Sequence, residues 1–214
     1  MTVRIVVLGA TGAVGSLLVE AGLARGAQVT ALAREPARVA ARPGLSVVAA
    51  DVYDPASIAR AVEGADVLVS GLGRAKGDLP GVLTAGAKAV VGSGVGRVVW
   101  LGAYGTGPSA PAAGALTRGL LGLVMRDEIP DKVAADAAVL ASGGTVFHVG
   151  PMADGPTAHR ALLLEEVPHL TLPLERVPRR LFPARVSRAA VAAAMTDEAV
   201  RPRYAGRVVV AVDG

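Results

Sequence analysis

Between Val3 and Gly15 a run of strand-forming residues breaks into Gly9-Ala10-Thr11-Gly12-Ala13-Val14-Gly15 and resumes as a helical pattern. A strand that enters a glycine turn and leaves it as a helix is the opening unit of a parallel α/β sheet, so this stretch restricts the fold more than any other. It also predicts a kind of ligand. Amides at a helix N-terminus lack intrahelical partners and carry the positive end of the macrodipole, and they suit the pyrophosphate of a dinucleotide. Gly9 lets the chain turn sharply out of the strand, Gly12 removes a Cβ from the path of the pyrophosphate, and Gly15 lets the helix lie close to the sheet. Thr11 adds a hydroxyl donor, and Ala13 and Val14 belong to the same anion-binding turn. The spacing is G-x-x-G-x-x-G rather than the commoner G-x-G-x-x-G, so the strand and helix around it carry the assignment.

The rest of the chain repeats the alternation. Apolar strand patterns are predicted at Val3 to Leu8, Gln28 to Ala33, Leu45 to Ala49, Asp66 to Ser70, Arg97 to Leu101, Thr145 to Val149 and Arg207 to Val212. Helical patterns fall between them at Ala13 to Arg25, Pro55 to Glu63, Leu79 to Val91, Ala115 to Met125, Pro130 to Ala141 and from Ser187 through Met195. Strands such as Val67-Leu68-Val69 are continuous apolar runs, which implies burial on both faces. The expected fold is α/β, a doubly wound, mainly parallel Rossmann sheet in one domain spanning residues 1–214. Prolines break the pattern between Pro151 and Val186, which predicts an irregular elaboration on the substrate side.

Composition narrows the chemistry. The chain has 214 residues, 52% hydrophobic and 19% charged, but only 3% aromatic, so its core must be aliphatic. There is no cysteine, which excludes disulfides, thiolate nucleophiles and cysteine-ligated metal. The three histidines have no metal-site spacing. Net charge is +4, yet the basic residues are scattered and not interleaved with aromatics, which argues against nucleic acid. No apolar run reaches the about 18 residues of a membrane span, and no leader pattern precedes the first strand. A cytoplasmic protein with a small-molecule substrate is expected, and a homo-oligomer is compatible with the sequence.

The end of the second strand bears on cofactor choice. NAD sites place a carboxylate about 20 residues beyond the glycine turn, whereas NADP sites use Arg for the 2′-phosphate. Here the chain reads Ala33-Arg34-Glu35, with Arg38 one turn later, which favours NADP(H). Glu35 has two alternatives, as ribose ligand or as surface partner of Arg38.

Taken in order, the glycine turn, Ala33-Arg34, Ala50-Asp51-Val52 before Tyr53-Asp54-Pro55, Gly64-Ala65-Asp66-Val67-Leu68-Val69-Ser70 and Ser187-Arg188 resemble the atypical short-chain dehydrogenase/reductases. The resemblance is to their single-domain NAD(P)H-binding group, which includes NmrA-like proteins and relatives of flavin and biliverdin reductases. It implies that Asp51 and Val52 lie along the adenine, and that Gly71, Leu72 and Gly73 pass beside the adenosine ribose. It further implies that Lys132, opening Lys132-Val133-Ala134-Ala135-Asp136, bonds the nicotinamide ribose, the alternative being a solvated lysine paired with Asp136. The backbone of Val149, Gly150 and Met152, in the turn after the sixth strand, would touch the nicotinamide amide.

The family's proton-donor pattern is missing. Its serines at the end of the fifth strand are replaced by Gly102-Ala103-Tyr104, and its Tyr-x-x-x-Lys by Glu128-Ile129-Pro130-Asp131-Lys132. Tyr104 is the phenol beside the expected nicotinamide end and is the candidate donor, the alternative being packing against an apolar segment. His148 takes the place of the family's arginine and is expected to be a hydrogen-bonded histidine at a strand end. The leading expectation is an NADP(H)-dependent reductase of a small carbonyl, enone, quinone or flavin-like molecule. A non-catalytic NADP(H) sensor and a cofactor-assisted isomerase or cyclase are the alternatives.

Overall fold

The computed structural model describes residues 2–75, 77–154, 169–177 and 185–213. Its central sheet is eight-stranded, in the order β3-β2-β1-β4-β5-β6-β10-β8. The strands are β1 (Arg4–Leu8), β2 (Gln28–Ala33), β3 (Leu45–Ala49), β4 (Val67–Ser70), β5 (Val98–Ala103), β6 (Thr145–Val149), β8 (His169–Pro173) and β10 (Val208–Asp213). All pair in parallel except β10 with β8. Among the described residues six α-helices cover the faces: α1 (Gly15–Ala24), α2 (Pro55–Ala61), α3 (Val82–Gly92), α4 (Ala115–Val124), α5 (Ile129–Ala141) and α6 (Arg188–Val200).

Alternation along each strand explains why both faces need cover. In β1, Ile5 and Val7 join the core under α1 and α6, whereas Val6 and Leu8 join the core under α2, α3 and α5. Phe147 and Trp100, the largest fully buried side chains, fall on opposite faces, and the rest of the core is almost wholly aliphatic. Because strand order reverses at β1, the chain leaves β1 toward β2 and crosses back to β4 on its other side. This switch opens a crevice above the C-terminal ends of β1, β2 and β4, where α/β sheets take ligands.

Local signals account for most element boundaries. The Asp54 carboxylate accepts from the Ala56 amide at 3.1 Å and caps α2, and Ser187 Oγ does the same for Ala190 and α6. Four departures from expectation have physical causes. β3 is an edge strand with only Leu45 and Val47 partly sheltered, so the two-sided burial expected of it is not found. Helix α3 begins at Val82 rather than Leu79, because Pro80 and a Gly81 with φ of +86° hold the preceding turn open. Helix α6 continues past Met195 to Val200, its polar Thr196 satisfied by the Ala192 carbonyl at 2.8 Å. Within the stretch read as irregular, His169–Pro173 forms the antiparallel edge strand β8, and Met152–Ala153 (β7) pairs with Val186–Ser187 (β9). Within that stretch, 155–168 and 178–184 lie outside the described residues.

Candidate dinucleotide site

The first element of the site is the turn between β1 and α1. Gly9 has φ of +77°, and its carbonyl accepts the Gly12 amide at 2.9 Å. A Cβ on Gly15 would stand 1.9 Å from the Gly9 oxygen, so no side chain is possible there. The close approach that requires this glycine is thus within the turn itself, a detail the sequence reading had assigned to helix and sheet. Gly71 at the exit of β4 is similarly tight, its Cβ position lying 3.0 Å from the Gly15 nitrogen. Helix α1 has no side-chain cap and no acidic residue in its first turn. The Gly12 and Ser16 amides are taken up by the Gly9 and Gly12 carbonyls, each at 2.9 Å, so an outside anion would meet the other amides of the turn and the first helical turn. Thr11, Gly12 and Ala13 are exposed, whereas Val14 is buried in the core and offers only its backbone.

A cavity opens beside this turn. Its walls include Gly9, Thr11 and Gly12 from the turn, Arg34 after β2, Asp51 and Val52 after β3, and Gly71, Leu72 and Gly73 after β4. These nine were singled out from sequence, and the fold brings them together although they span more than sixty residues of chain. Leu8, Leu32, Val52, Leu72 and Val82 give the cavity an apolar surface suited to a flat base. Asp51 Oδ1 accepts from the Tyr53 amide at 2.9 Å, and the Tyr53 hydroxyl donates to the Leu79 carbonyl at 3.4 Å. Arg38 is not on this wall: it is exposed and lies 4.0 Å from the Glu35 carboxylate, the surface-pair alternative for Glu35.

Of the wall residues not singled out from sequence, Asp78 is the charged one. Asp78, from the connection between β4 and α3, places its carboxylate 2.8 Å from the Arg34 guanidinium and accepts the Ala75 amide at 2.7 Å. The Ala75 bond is the largest influence on it, opposed by burial and reinforced by Arg34, and the result is a pKa below the ordinary 3.8. Nothing in the local pattern separates Asp78 from any loop carboxylate; its partner is 44 residues away.

The other half of the crevice lies at the ends of β5 and β6, where the Tyr104 amide bonds the Val149 carbonyl at 2.9 Å. Tyr104 is buried with Ala113 and Val210, and burial raises its pKa above 10.0. Lys132 is half-exposed in the first turns of α5. The proposed surface pair between Lys132 and Asp136 is not what forms. Asp136 turns inward and bonds His148 Nε2 at 3.0 Å, while His148 Nδ1 meets Ser109 Oγ at 2.6 Å. All three side chains are buried, so His148 is the hydrogen-bonded strand histidine expected. Gly102 makes room for them, since a Cβ there would lie 2.7 Å from the His148 ring and 2.9 Å from both Asp136 oxygens. Gly150 and Met152 are half-buried beyond Val149, with Met152 paired to Val186. Neither they nor Tyr104 and Lys132 line the cavity around Arg34. Among the described residues no group of histidines and carboxylates could hold a metal, and no helix is long and apolar enough to cross a membrane.

These residues fit a dinucleotide: open helix amides for the diphosphate, an apolar slot for the base, and a guanidinium at the strand end. Comparison with known proteins agrees. The chain resembles the NADP complex of a short-chain dehydrogenase/reductase from Veillonella parvula, with 17% identity, a TM-score of 0.78 and coverage of 100% of this chain and 95% of the other. A protein called ChuY, an anaerobillin reductase from Escherichia coli O157:H7, matches at 21% identity with a TM-score of 0.73, over 98% of this chain and 97% of that one. A protein from Burkholderia pseudomallei, named only as a candidate exported protein, matches at 28% identity and a TM-score of 0.73, over 99% and 100% of the two chains. No curated protein sequence matches. The model of the NAD(P)H-binding family matches residues 9–202, most of the chain, and this protein therefore belongs to that family.

Proposed function

We propose that the protein is a cytoplasmic NADP(H)-dependent reductase of a small organic substrate, a ketone, enone, quinone or flavin-like molecule. The observation that carries this reading is Arg34, a guanidinium on the cavity wall where NAD sites carry a carboxylate at the strand end. When bound, the cofactor supplies the hydride, so the protein has chiefly to bind, orient and exclude water. The turn from Gly9 to Gly15 holds the diphosphate and Arg34 receives the 2′-phosphate. Lys132 bonds the nicotinamide ribose and aligns the ring, with the Val149 and Gly150 backbone and Met152 beside it. Tyr104 is the proton donor in this reading: its phenol is protonated at neutral pH, although burial raises its pKa and so makes it a weaker acid than a free phenol.

One observation favours a second reading, a non-catalytic NADP(H) sensor. The polar side chains beside Gly102, His148 and Asp136, bond each other inside the protein, and His148 bonds the buried Ser109, instead of facing the crevice.

Fluorescence titration with NADPH and NADH, followed by absorbance of the reduced nicotinamide across a panel of carbonyls and quinones, separates the two. Turnover with at least one substrate is expected. In the Lys132→Met variant the rate should fall about a hundredfold while affinity changes far less. Binding without consumption across the panel would select the sensor, and binding of neither dinucleotide would sink both readings.

A further inference from the structure

We propose that Asp78 sets dinucleotide preference by occupying Arg34 in the free protein, so that a 2′-phosphate must displace an internal carboxylate before it can bind. This rests on the dinucleotide reading above and adds a competitor at the same site.

The two side chains differ in exposure in an informative way. Asp78 is the buried partner, with 6% of its side chain exposed, whereas the Arg34 side chain is 61% exposed. The carboxylate is the anchored end, held by Ala75 through one oxygen and by Arg34 through the other. The guanidinium is the end that faces arriving ligand, on the wall it shares with Asp51 and Leu72. Carboxylate and phosphate are interchangeable acceptors for a guanidinium, so the pair already made in the protein is the one a 2′-phosphate would make. Both anions cannot share it without repulsion, because Asp78 is ionised at neutral pH and has little water around it to screen its charge. Arg74, on the same connection, also lowers the Asp78 pKa, so a second cation is at hand when Arg34 is withdrawn. A ribose 2′-hydroxyl carries no charge and imposes no such exchange. Asp78 therefore opposes NADPH and leaves NADH almost untouched.

The test is calorimetric titration of NADPH and NADH into the wild-type protein and Asp78→Asn. Asparagine keeps an oxygen for the Ala75 amide while removing the charge. The variant should bind NADPH about tenfold tighter and NADH within about twofold of wild type. Unchanged or weaker NADPH binding, or equal tightening of both dinucleotides, overturns the proposal. Hydrogen exchange on the wild-type protein provides the same decision should the variant fold poorly. With Arg34 withdrawn, Asp78 loses one of the two bonds that fix it, so saturating NADPH should speed exchange of the Ala75 amide relative to saturating NADH; equal exchange with both dinucleotides overturns the proposal. Wild-type protein that binds neither dinucleotide removes the cofactor reading itself, an outcome distinct from NADPH binding that is indifferent to Asp78.

Discussion

The two ends of the crevice are built from the same sheet but treat their polar groups in opposite ways. At the ends of β1, β2 and β4, amides and charged side chains line an open cavity: Gly12, Arg34, Asp51 and Gly73 all reach it. At the ends of β5 and β6, the groups most capable of chemistry are turned into the protein, where His148 links Ser109 to Asp136 beneath Gly102. The first end is organised to bind. The second is organised to hold its own backbone in place.

This contrast can be broken by experiment. The largest effect is expected for Gly15→Val, where the new Cβ would lie 1.9 Å from the Gly9 oxygen. Backbone cannot yield that distance, so a loss above about 5 kcal/mol is expected, read as failure to fold or a collapsed melting temperature. His148→Ala tests the opposite end. It removes a buried ring and both of its hydrogen bonds, leaving the buried Asp136 carboxyl without its partner, for a loss of about 3 kcal/mol in denaturant unfolding. Dinucleotide affinity of the folded fraction should change by less than about threefold. If that affinity instead collapsed with stability intact, the division between the two ends would be mistaken.

Arg34→Glu sharpens the comparison from the binding side. It should weaken NADPH by about a hundredfold and NADH by only a few fold, measured by titration. Equal weakening of both would remove the 2′-phosphate assignment. The smallest effect is expected at Asp131, which joins the two halves by accepting the Leu83 and Thr84 amides at the start of α3. Burial alone would raise its pKa, but the bonds from Thr84 and Leu83 and the charge of Lys132 lower it below 3.8. A carboxyl lowered on folding contributes stability that is present above 3.8 and lost as pH falls toward its folded value. Asp131→Asn should therefore cost about 1 kcal/mol at neutral pH, and the deficit should shrink on acidification below that range.

Much of the binding end was legible because its signals are local. A glycine turn between a strand and a helix announces itself in seven residues, and Arg34 falls at a fixed distance beyond it. The strands announced themselves as continuous apolar runs, and seven of the eight main ones lie within a residue or two of their expected limits. Edge elements were harder. β8 is a strand only because β10 offers it a ladder, and its flanking prolines mask it in the sequence. At the second end, Asp136 read as a surface partner of Lys132 by helical spacing, but the space left by Gly102 and the ring of His148 drew it inward.

By itself the sequence determined the alternation of strands and helices, the glycine turn before α1 and the cation at the tip of β2, because each depends on neighbours a few residues away. Which carboxylate meets that cation, and which way the polar groups beside β6 face, were decided only by tertiary structure. Asp78 meets Arg34 across 44 residues, and Ser109 meets His148 across 39. Such pairings have no period or spacing; they arise when two loops are brought to the same edge of a sheet and buried charges must find partners there.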